Sequence, residues 1–229
     1  METFVKKHPI TLAMIIAALF ITGFSTTRFL PPGTIEVKDI PGLYIDKTEV
    51  LNADWTEYLA YLKNRHGENS NEYRSAFPDS LIWHTVYPLG KIGSLHTPSA
   101  NFPVVGITHE QAVSYCNWRS DRVNEKYKKS VIYRLPTREE WDRISKSIVS
   151  EKDFSFQCKL AEANRKSNRV INMQDNVSEM LAEKGLAKGM NWIYLDTVTK
   201  QITYSDTFLE IPYHAPANYI GFRCVAIVN

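Results

Sequence analysis

Cysteine is scarce in this sequence of 229 residues, and its three cysteines, Cys116, Cys158 and Cys224, do not have the spacing of metal ligands. No CxxC pair occurs, and the six histidines form neither an HxxxH nor an HExxH pattern. The sequence therefore gives no support for a zinc site, which needs clustered Cys and His ligands. In an exported chain, two of the three cysteines can pair and leave the third free.

The sequence also lacks a strong excess of positive or of negative charge. Lysine and arginine together number 27 and aspartate and glutamate 25, so the net charge is only +2. This balance gives no basis for a nucleic-acid partner. Hydrophobic residues make up 44% of the chain, which is enough to bury a core. Aromatics reach 12%, and we expect most of them inside. A surface that stacks on sugars or peptides is the alternative.

Long hydrophobic runs are absent except near the N-terminus. An uncharged apolar run, 10–24, follows Lys6 and Lys7. Its length is near the upper end of a signal-peptide core and short for a membrane span. We predict that 1–30 is a signal peptide or an uncleaved membrane anchor, and that 31–229 forms one exported domain in the periplasm or at the cell surface. Cleavage and anchoring both remain open.

Three helices are predicted from apolar spacing and start signals. The first begins after Asn52 as its N-cap, and the other two begin with capping boxes, Thr108 with Gln111 and Thr137 with Glu140. Their predicted buried positions are Trp55, Leu59 and Leu62; Ala112, Val113, Cys116 and Val123; and Trp141, Ile144 and Ile148.

Strands are predicted mainly in the last third of the chain, where short alternating runs replace the helical pattern. The predicted strands cover 42–45, 191–195, 201–204 and 221–228. The polar, proline-containing stretch 65–103 is too long for a simple connection and predicts a surface excursion. Helices early and strands late indicate an α+β domain.

Five sequence blocks occur in order after residue 40. They are 46–52 (DKTEVLN), 102–108 (FPVVGIT) leading into 112–118 (AVSYCNW), 133–141 (YRLPTREEW), 172–180 (NMQDNVSEM) and 220–224 (IGFRC). Together they resemble the formylglycine-generating enzyme, or sulfatase-modifying factor, family. The resemblance implies a variant of the C-type lectin-like fold, α+β, with little regular secondary structure and a small antiparallel sheet.

The same blocks have structural explanations. We expect Arg134 and Arg223 to be buried and paired with carboxylates such as Glu140 or Glu179, because a buried guanidinium needs such a partner. Trp118, Trp141 and Trp192 are expected to fill the core between loops.

The resemblance also implies a calcium site, since family members often bind calcium near the fourth block. The matching positions are Asn176, Val177 and Glu179, and an amide oxygen, a backbone carbonyl and a carboxylate are ligands that Ca²⁺ accepts. This chain has Asp175 where the family usually has glycine. The alternative is an Asx-turn with Glu179 ion-paired to an arginine.

In the enzymes of the family, a cysteine pair before the last block binds copper and carries out the oxidation. The corresponding segment here, 191–219, contains no cysteine. We therefore recognise no copper or iron site, and the resemblance is to a non-catalytic member, a pseudoenzyme. It also implies a disulfide between Cys116 and Cys224, which leaves Cys158 alone.

These observations favour a non-catalytic binding or assembly module in the cell envelope, as in relatives from gliding and type IX secretion machinery. Its partner is then an envelope protein or an extracellular ligand. By analogy with variable ligand-binding relatives, the candidate ligand surface comprises Tyr204, Tyr213, His214, Asn218 and Tyr219. One alternative is an oxidoreductase acting on a peptide or small thiol through His214, Tyr213 and Cys158. Another is a lectin-like ligand-binding module.

Overall fold

The computed structural model describes residues 28–95, 99–148, 160–193 and 203–229. Within these parts the helices are α1 (Asn52–His66), α2 (Asn71–Arg74), α3 (Ser80–Val86), α4 (His109–Tyr127) and α5 (Arg138–Ile148). The strands are β1 (Thr34–Glu36), β2 (Leu43–Asp46), β3 (Val131–Arg134), β4 (Ser178–Met180), β5 (Leu186–Lys188), β6 (Glu210–Pro212), β7 (Ile220–Gly221) and β8 (Val225–Val228). Short elements joined by long connections confirm the α+β prediction.

No helix in the described parts of the chain is long and apolar enough to cross a membrane. The apolar run 10–24, predicted as a signal or an anchor, lies outside those parts.

Two four-stranded sheets organise the domain. The first has the order β1-β2-β8-β3 and is antiparallel throughout, with Ile45 opposite Val225 and Tyr133 opposite Ala226. The second has the order β6-β5-β4-β7, and its β4–β7 pair is parallel. The prediction of a small antiparallel sheet therefore describes the first sheet, while the second is mixed.

Helix starts follow the capping chemistry at two of three places. The Thr108 N–H donates to Gln111 Oε1 at 2.7 Å, and the Thr137 N–H donates to Glu140 Oε2 at 2.9 Å, so both boxes are confirmed. The predicted N-cap at Asn52 is wrong, because Asn52 is already inside α1 and its amide donates to the Ser99 carbonyl. Asp54 caps this end by accepting from the Leu51 N–H at 3.0 Å.

The buried face of α4 differs from the prediction at one position. Ala112, Cys116 and Val123 are buried, whereas Val113 is 38% exposed. Each helical residue is turned about 100° from the one before it, so Val113 leaves the stripe that Ala112 occupies.

Two of the predicted strands are wrong within the described residues. Residues 191–193 form no β-ladder. Tyr204 begins a short 3₁₀ helix, Tyr204–Phe208, and the Thr203 N–H donates to Asp206 at its start, at 2.8 Å. The rest of 191–195 and 201–204 lies outside the described parts. The predicted strand 221–228 is split at 222–224, because this backbone has other partners. The Phe222 carbonyl accepts from the Val50 N–H at 2.9 Å, and the Cys224 carbonyl accepts from the Asp46 N–H at 3.0 Å.

The excursion 65–103 is more than a surface loop. It contains α2 and α3, and it buries Trp83 and Tyr87. The Tyr87 hydroxyl donates to the Pro103 carbonyl at 2.6 Å, and the Trp83 indole donates to Asn52 Oδ1 at 3.3 Å. These bonds hold α3 against the start of α1.

Aromatic rings form much of the interior, as the composition predicts. Trp55 stacks on Tyr115 with ring centroids 5.5 Å apart, and Phe222 meets both rings edge-on. A second cluster gathers around Trp141, behind the first sheet. Trp118 and Trp192 are only partly buried at the margins of the core.

Candidate functional site

Arg223 is the centre of a polar network inside the fold. Its Nε donates to Glu179 Oε1 at 2.6 Å, and both side chains are fully buried. The other Glu179 oxygen accepts from the Trp141 indole at 2.9 Å. The remaining guanidinium nitrogens donate to the carbonyls of Asp46 and Ile171. This confirms the predicted Arg223–Glu179 pair and shows that it ties the end of β2, the loop at Ile171 and the segment 222–224 to β4.

Arg134 makes the second predicted pair. Its two terminal nitrogens donate to the two Glu140 oxygens, each at 2.7 Å. Burial raises the pKa of Glu140, but hydrogen bonds from Arg134 and Thr137 outweigh burial and bring the pKa below its usual value. The pair is half-buried and joins β3 to the start of α5.

A third arginine pair was not predicted. Arg119 holds both oxygens of Asp46, at 2.7 and 2.8 Å, and lies over the Tyr133 ring at 4.2 Å. Asp46 Oδ2 also accepts from the Cys224 N–H at 2.9 Å. Asp46 opens the first sequence block, but Arg119 lies just after the second block, so only the carboxylate of this pair was marked by the sequence.

Glu49 differs from Asp46 and Glu179 in that its side chain forms no ion pair with an arginine of the described residues. It is 1% exposed, and its closest partner is the Asn176 amide, which donates to Oε1 at 2.7 Å. Burial raises the pKa of Glu49 to about 7, against the lowering effect of Arg223 and with a further rise from Glu179. The network thus holds three carboxyl groups, Asp46, Glu49 and Glu179, near two arginines, and Glu49 is about half protonated at pH 7.

A pH dependence follows from Glu49. Its ordinary pKa is 4.5 and its folded pKa about 7, so the unfolded chain ionises first as the pH rises. Stability is highest below the unfolded pKa and falls by ~1.4 kcal/mol per pH unit across this window, a total of about 3 kcal/mol. We expect Glu49→Gln to unfold at a higher urea concentration than the wild type at pH 8, with a much smaller difference at pH 4.5.

The matched control is Glu57→Gln, which removes an exposed carboxylate from the nearby helix α1. It should leave the stability difference from wild type near zero at both pH values. An equal effect of Glu49→Gln at pH 4.5 and pH 8 would show that Glu49 ionises normally in the folded domain.

The predicted calcium ligands are engaged with protein partners. Asn176 Oδ1 accepts from the Ala161 N–H at 2.8 Å, and both Glu179 oxygens accept from Arg223 and Trp141. The arrangement agrees with the ion-paired alternative, because both Glu179 oxygens are already bonded inside the protein. Among the described residues, no group of three or more His, Cys, Asp or Glu is placed to hold a metal. Calcium stays a prediction.

The structure brings Cys116 and Cys224 together. Their sulfurs are 3.4 Å apart in the core, and burial raises the pKa of the Cys224 thiol well above its usual range. A disulfide bond is about 2.05 Å long, so the two thiols are adjacent but not bonded. The disulfide stays a prediction, and Cys158 lies outside the described residues.

Only some of the residues predicted for the ligand surface are exposed. Tyr213 is buried, and its hydroxyl has no hydrogen-bond partner among the described residues. Burial raises the pKa of Tyr213 to about 12. His214, directly after it, is exposed. Tyr204 is half-buried, with its ring edge-on to Phe208 at 5.2 Å. Tyr213 is therefore removed from the contact surface, whereas His214 stays available for contact.

Asn218 and Tyr219 lie where the C-terminal segment meets α3. The Asn218 amide donates to Thr85 Oγ1 at 3.1 Å, and its carbonyl accepts from the Trp192 indole at 3.1 Å. Tyr219 is half-buried, and its carbonyl accepts from the Ser178 N–H at 2.9 Å. These contacts bring Asn218, Tyr219 and Trp192 together in one polar and aromatic region.

A cavity of about 310 Å³ lies beside Glu49, between the loop after β2, α1 and α4. Its wall includes Trp118 and the ion pair between Asp54 and Arg165, whose charged atoms are 2.9 Å apart. The sequence does not predict this cavity, because its lining residues come from four distant segments and share no pattern.

The comparisons with known proteins address the family. A sequence model described as the sulfatase-modifying factor enzyme 1-like domain matches residues 20–182. No curated protein sequence matches the chain.

Solved structures with similar coordinates include three at low sequence identity. CarF is 15% identical to this chain with a TM-score of 0.48, and the match covers 82% of this chain and 87% of CarF. PvdO from Pseudomonas aeruginosa is 17% identical with a TM-score of 0.46, covering 82% and 80%. Treponema denticola variable protein 1 is 15% identical with a TM-score of 0.46, covering 82% and 84%. Since the family match spans well over half of the sequence, the chain belongs to the sulfatase-modifying factor enzyme family, with that family's variant of the C-type lectin-like fold.

Proposed function

We propose that this protein is a non-catalytic sulfatase-modifying-factor domain that serves as a binding or assembly module in the cell envelope. The observation that carries the proposal is the segment 191–219, where the enzymes of the family place their thiol pair and this chain has no cysteine. The apolar run 10–24 behind two lysines supports export of the domain.

The network around Arg223 supports the same proposal. Glu179 and Arg223 neutralise each other, and Asp46 is held by Arg119. These charged groups of the family blocks therefore act in holding loops together, because each is already bonded inside the protein. What the C-terminal segment presents outward is His214 and the region of Asn218 and Tyr219, a mixture of imidazole, amide and phenol suited to protein contact.

Site-specific photocrosslinking tests this proposal. A photoreactive amino acid replaces exposed His214 in the full chain, expressed in its native envelope, and cells are irradiated. We expect a discrete, light-dependent adduct with one envelope component. The matched control places the same amino acid at Ile132, which is 48% exposed on β3 of the first sheet.

An adduct from position 214 alone supports a contact surface in the C-terminal segment. Adducts of equal pattern from both positions, or none from position 214, would contradict the assignment of this surface to a partner.

A further inference from the structure

The chain enters the described domain beside a patch of exposed rings and lysines. We name it the entry patch and define it by Phe29, Leu30, Lys126, Tyr127, Lys128 and Lys129. Leu30 is 54% exposed and Tyr127 is 40% exposed, although both are apolar or amphipathic. Aromatic and aliphatic side chains ringed by cations are typical of surfaces that lie at a membrane interface.

The entry patch is a fixed part of the fold. The Phe29 and Tyr127 ring centroids are 5.4 Å apart, and Phe29 packs against the main core. The Lys126 ammonium lies 5.3 Å from the Tyr127 ring centre, and the Lys129 ammonium 5.8 Å from the Phe29 ring centre. Rings and cations are therefore held together on one face before any partner arrives.

The positive charge of the entry patch is not cancelled by its neighbours. The nearby carboxylates Glu36 and Glu125 each form an ion pair with an arginine, Arg28 and Arg122 respectively. None of the ion pairs within the described residues involves the three lysines of the patch. Lys128 ends α4 in the left-handed region with φ 54°, which turns the chain so that consecutive lysines follow the helix end.

We propose that the entry patch rests on an anionic lipid surface. The apolar run ends at residue 24, and only residues 25–27 separate it from Arg28. Three extended residues span about 10 Å, so a run that enters a bilayer holds the patch close to the headgroups. Phe29, Leu30 and Tyr127 then contact the interface and the lysines attract lipid phosphates. The proposal rests on the proposed envelope function, with the run 10–24 kept as an anchor, and it assigns the face of the domain that turns to the membrane.

Amine labelling of the full chain in lipid nanodiscs tests the proposal. A water-soluble acylating reagent is applied to protein in discs of phosphatidylglycerol or of phosphatidylcholine, and each lysine is quantified by mass spectrometry. We expect labelling of Lys126 and Lys129 to be about fivefold slower in phosphatidylglycerol than in phosphatidylcholine, and the difference to disappear in 0.5 M salt. Exposed Lys166, outside the patch, is the internal control.

A charge variant completes the test. In Lys126→Gln/Tyr127→Ser, the labelling of Lys129 should become the same in both lipids, whereas the charge variant Lys91→Gln, at an exposed lysine outside the patch, should keep the wild-type difference. Equal labelling of Lys129 in both lipids for the wild-type chain would overturn the proposal, and so would a chain that stays unbound to phosphatidylglycerol discs. Photocrosslinking at His214 is unaffected by this outcome, so failure of the lipid contact is distinguishable from failure of the proposed function.

Discussion

Replacing Arg223 with methionine is expected to lower the free energy of unfolding by about 3–5 kcal/mol. Methionine fills much of the same space, but it leaves the Glu179 carboxylate buried without its charge partner. It also leaves the carbonyls of Asp46 and Ile171 without the donors they now have. Urea denaturation at pH 7, followed by tryptophan fluorescence, measures the loss.

The matched control is Arg134→Met, which breaks the bidentate pair with Glu140 at a half-exposed position. Water can solvate the released Glu140, so we expect a cost of about 1 kcal/mol or less. The double variant Arg223→Met/Glu179→Gln should regain part of the loss, since it removes the unpaired buried charge. A cost for Arg223→Met no larger than that for Arg134→Met would mean that the buried network does not hold the loops as the structure indicates.

The second large effect is expected from the cysteine pair. In oxidising conditions, peptide mapping of the full chain without reduction should find Cys116 linked to Cys224 and Cys158 free. The two sulfurs are 3.4 Å apart across 108 positions of sequence. Closing a loop of this length stabilises the folded state by up to about 4–5 kcal/mol in the chain-entropy account. Reduction with a phosphine should therefore lower the midpoint of urea unfolding strongly.

Cys158→Ser is the control for that experiment. It should leave both the mapped link and the unfolding midpoint unchanged, while Cys116→Ser should reproduce the reduced protein even under oxidising conditions. Mapping of Cys158 to either buried cysteine would contradict the predicted pairing, and an unchanged midpoint on reduction would contradict its contribution to stability.

Local chemistry explains which parts of the fold the sequence could predict. The boxes Thr108–Gln111 and Thr137–Glu140 depend on residues three positions apart, so they are visible without any tertiary contact, and both are present. Asn52 failed as a cap because its amide is used across the fold by Ser99. Strand prediction failed at Tyr204 for a similar reason, since alternating side chains do not reveal a 3₁₀ turn fixed by Asp206.

The candidate site also divides into parts that the sequence could predict and parts that depend on tertiary contacts. The partners of Arg134 and Arg223 could be predicted because a buried guanidinium needs a carboxylate and the family blocks offer few. Glu49 could not be singled out, because its raised pKa comes mainly from burial, with a further rise from Glu179, and both are tertiary effects of residues far away in sequence. The burial of Tyr213 beside exposed His214 is likewise a tertiary property, and no pattern in 204–219 distinguishes the two.

Copper binding tests the central claim most directly, namely that this family member lacks the thiol centre of its enzyme relatives. The purified full chain is first oxidised to form the Cys116–Cys224 link, then given one equivalent of Cu(I) under anaerobic conditions in competition with a chromophoric chelator. We predict that the copper stays with the chelator, since 191–219 supplies no thiolate. Retention of one copper per chain by the oxidised protein, unchanged in Cys158→Ser, would contradict the account.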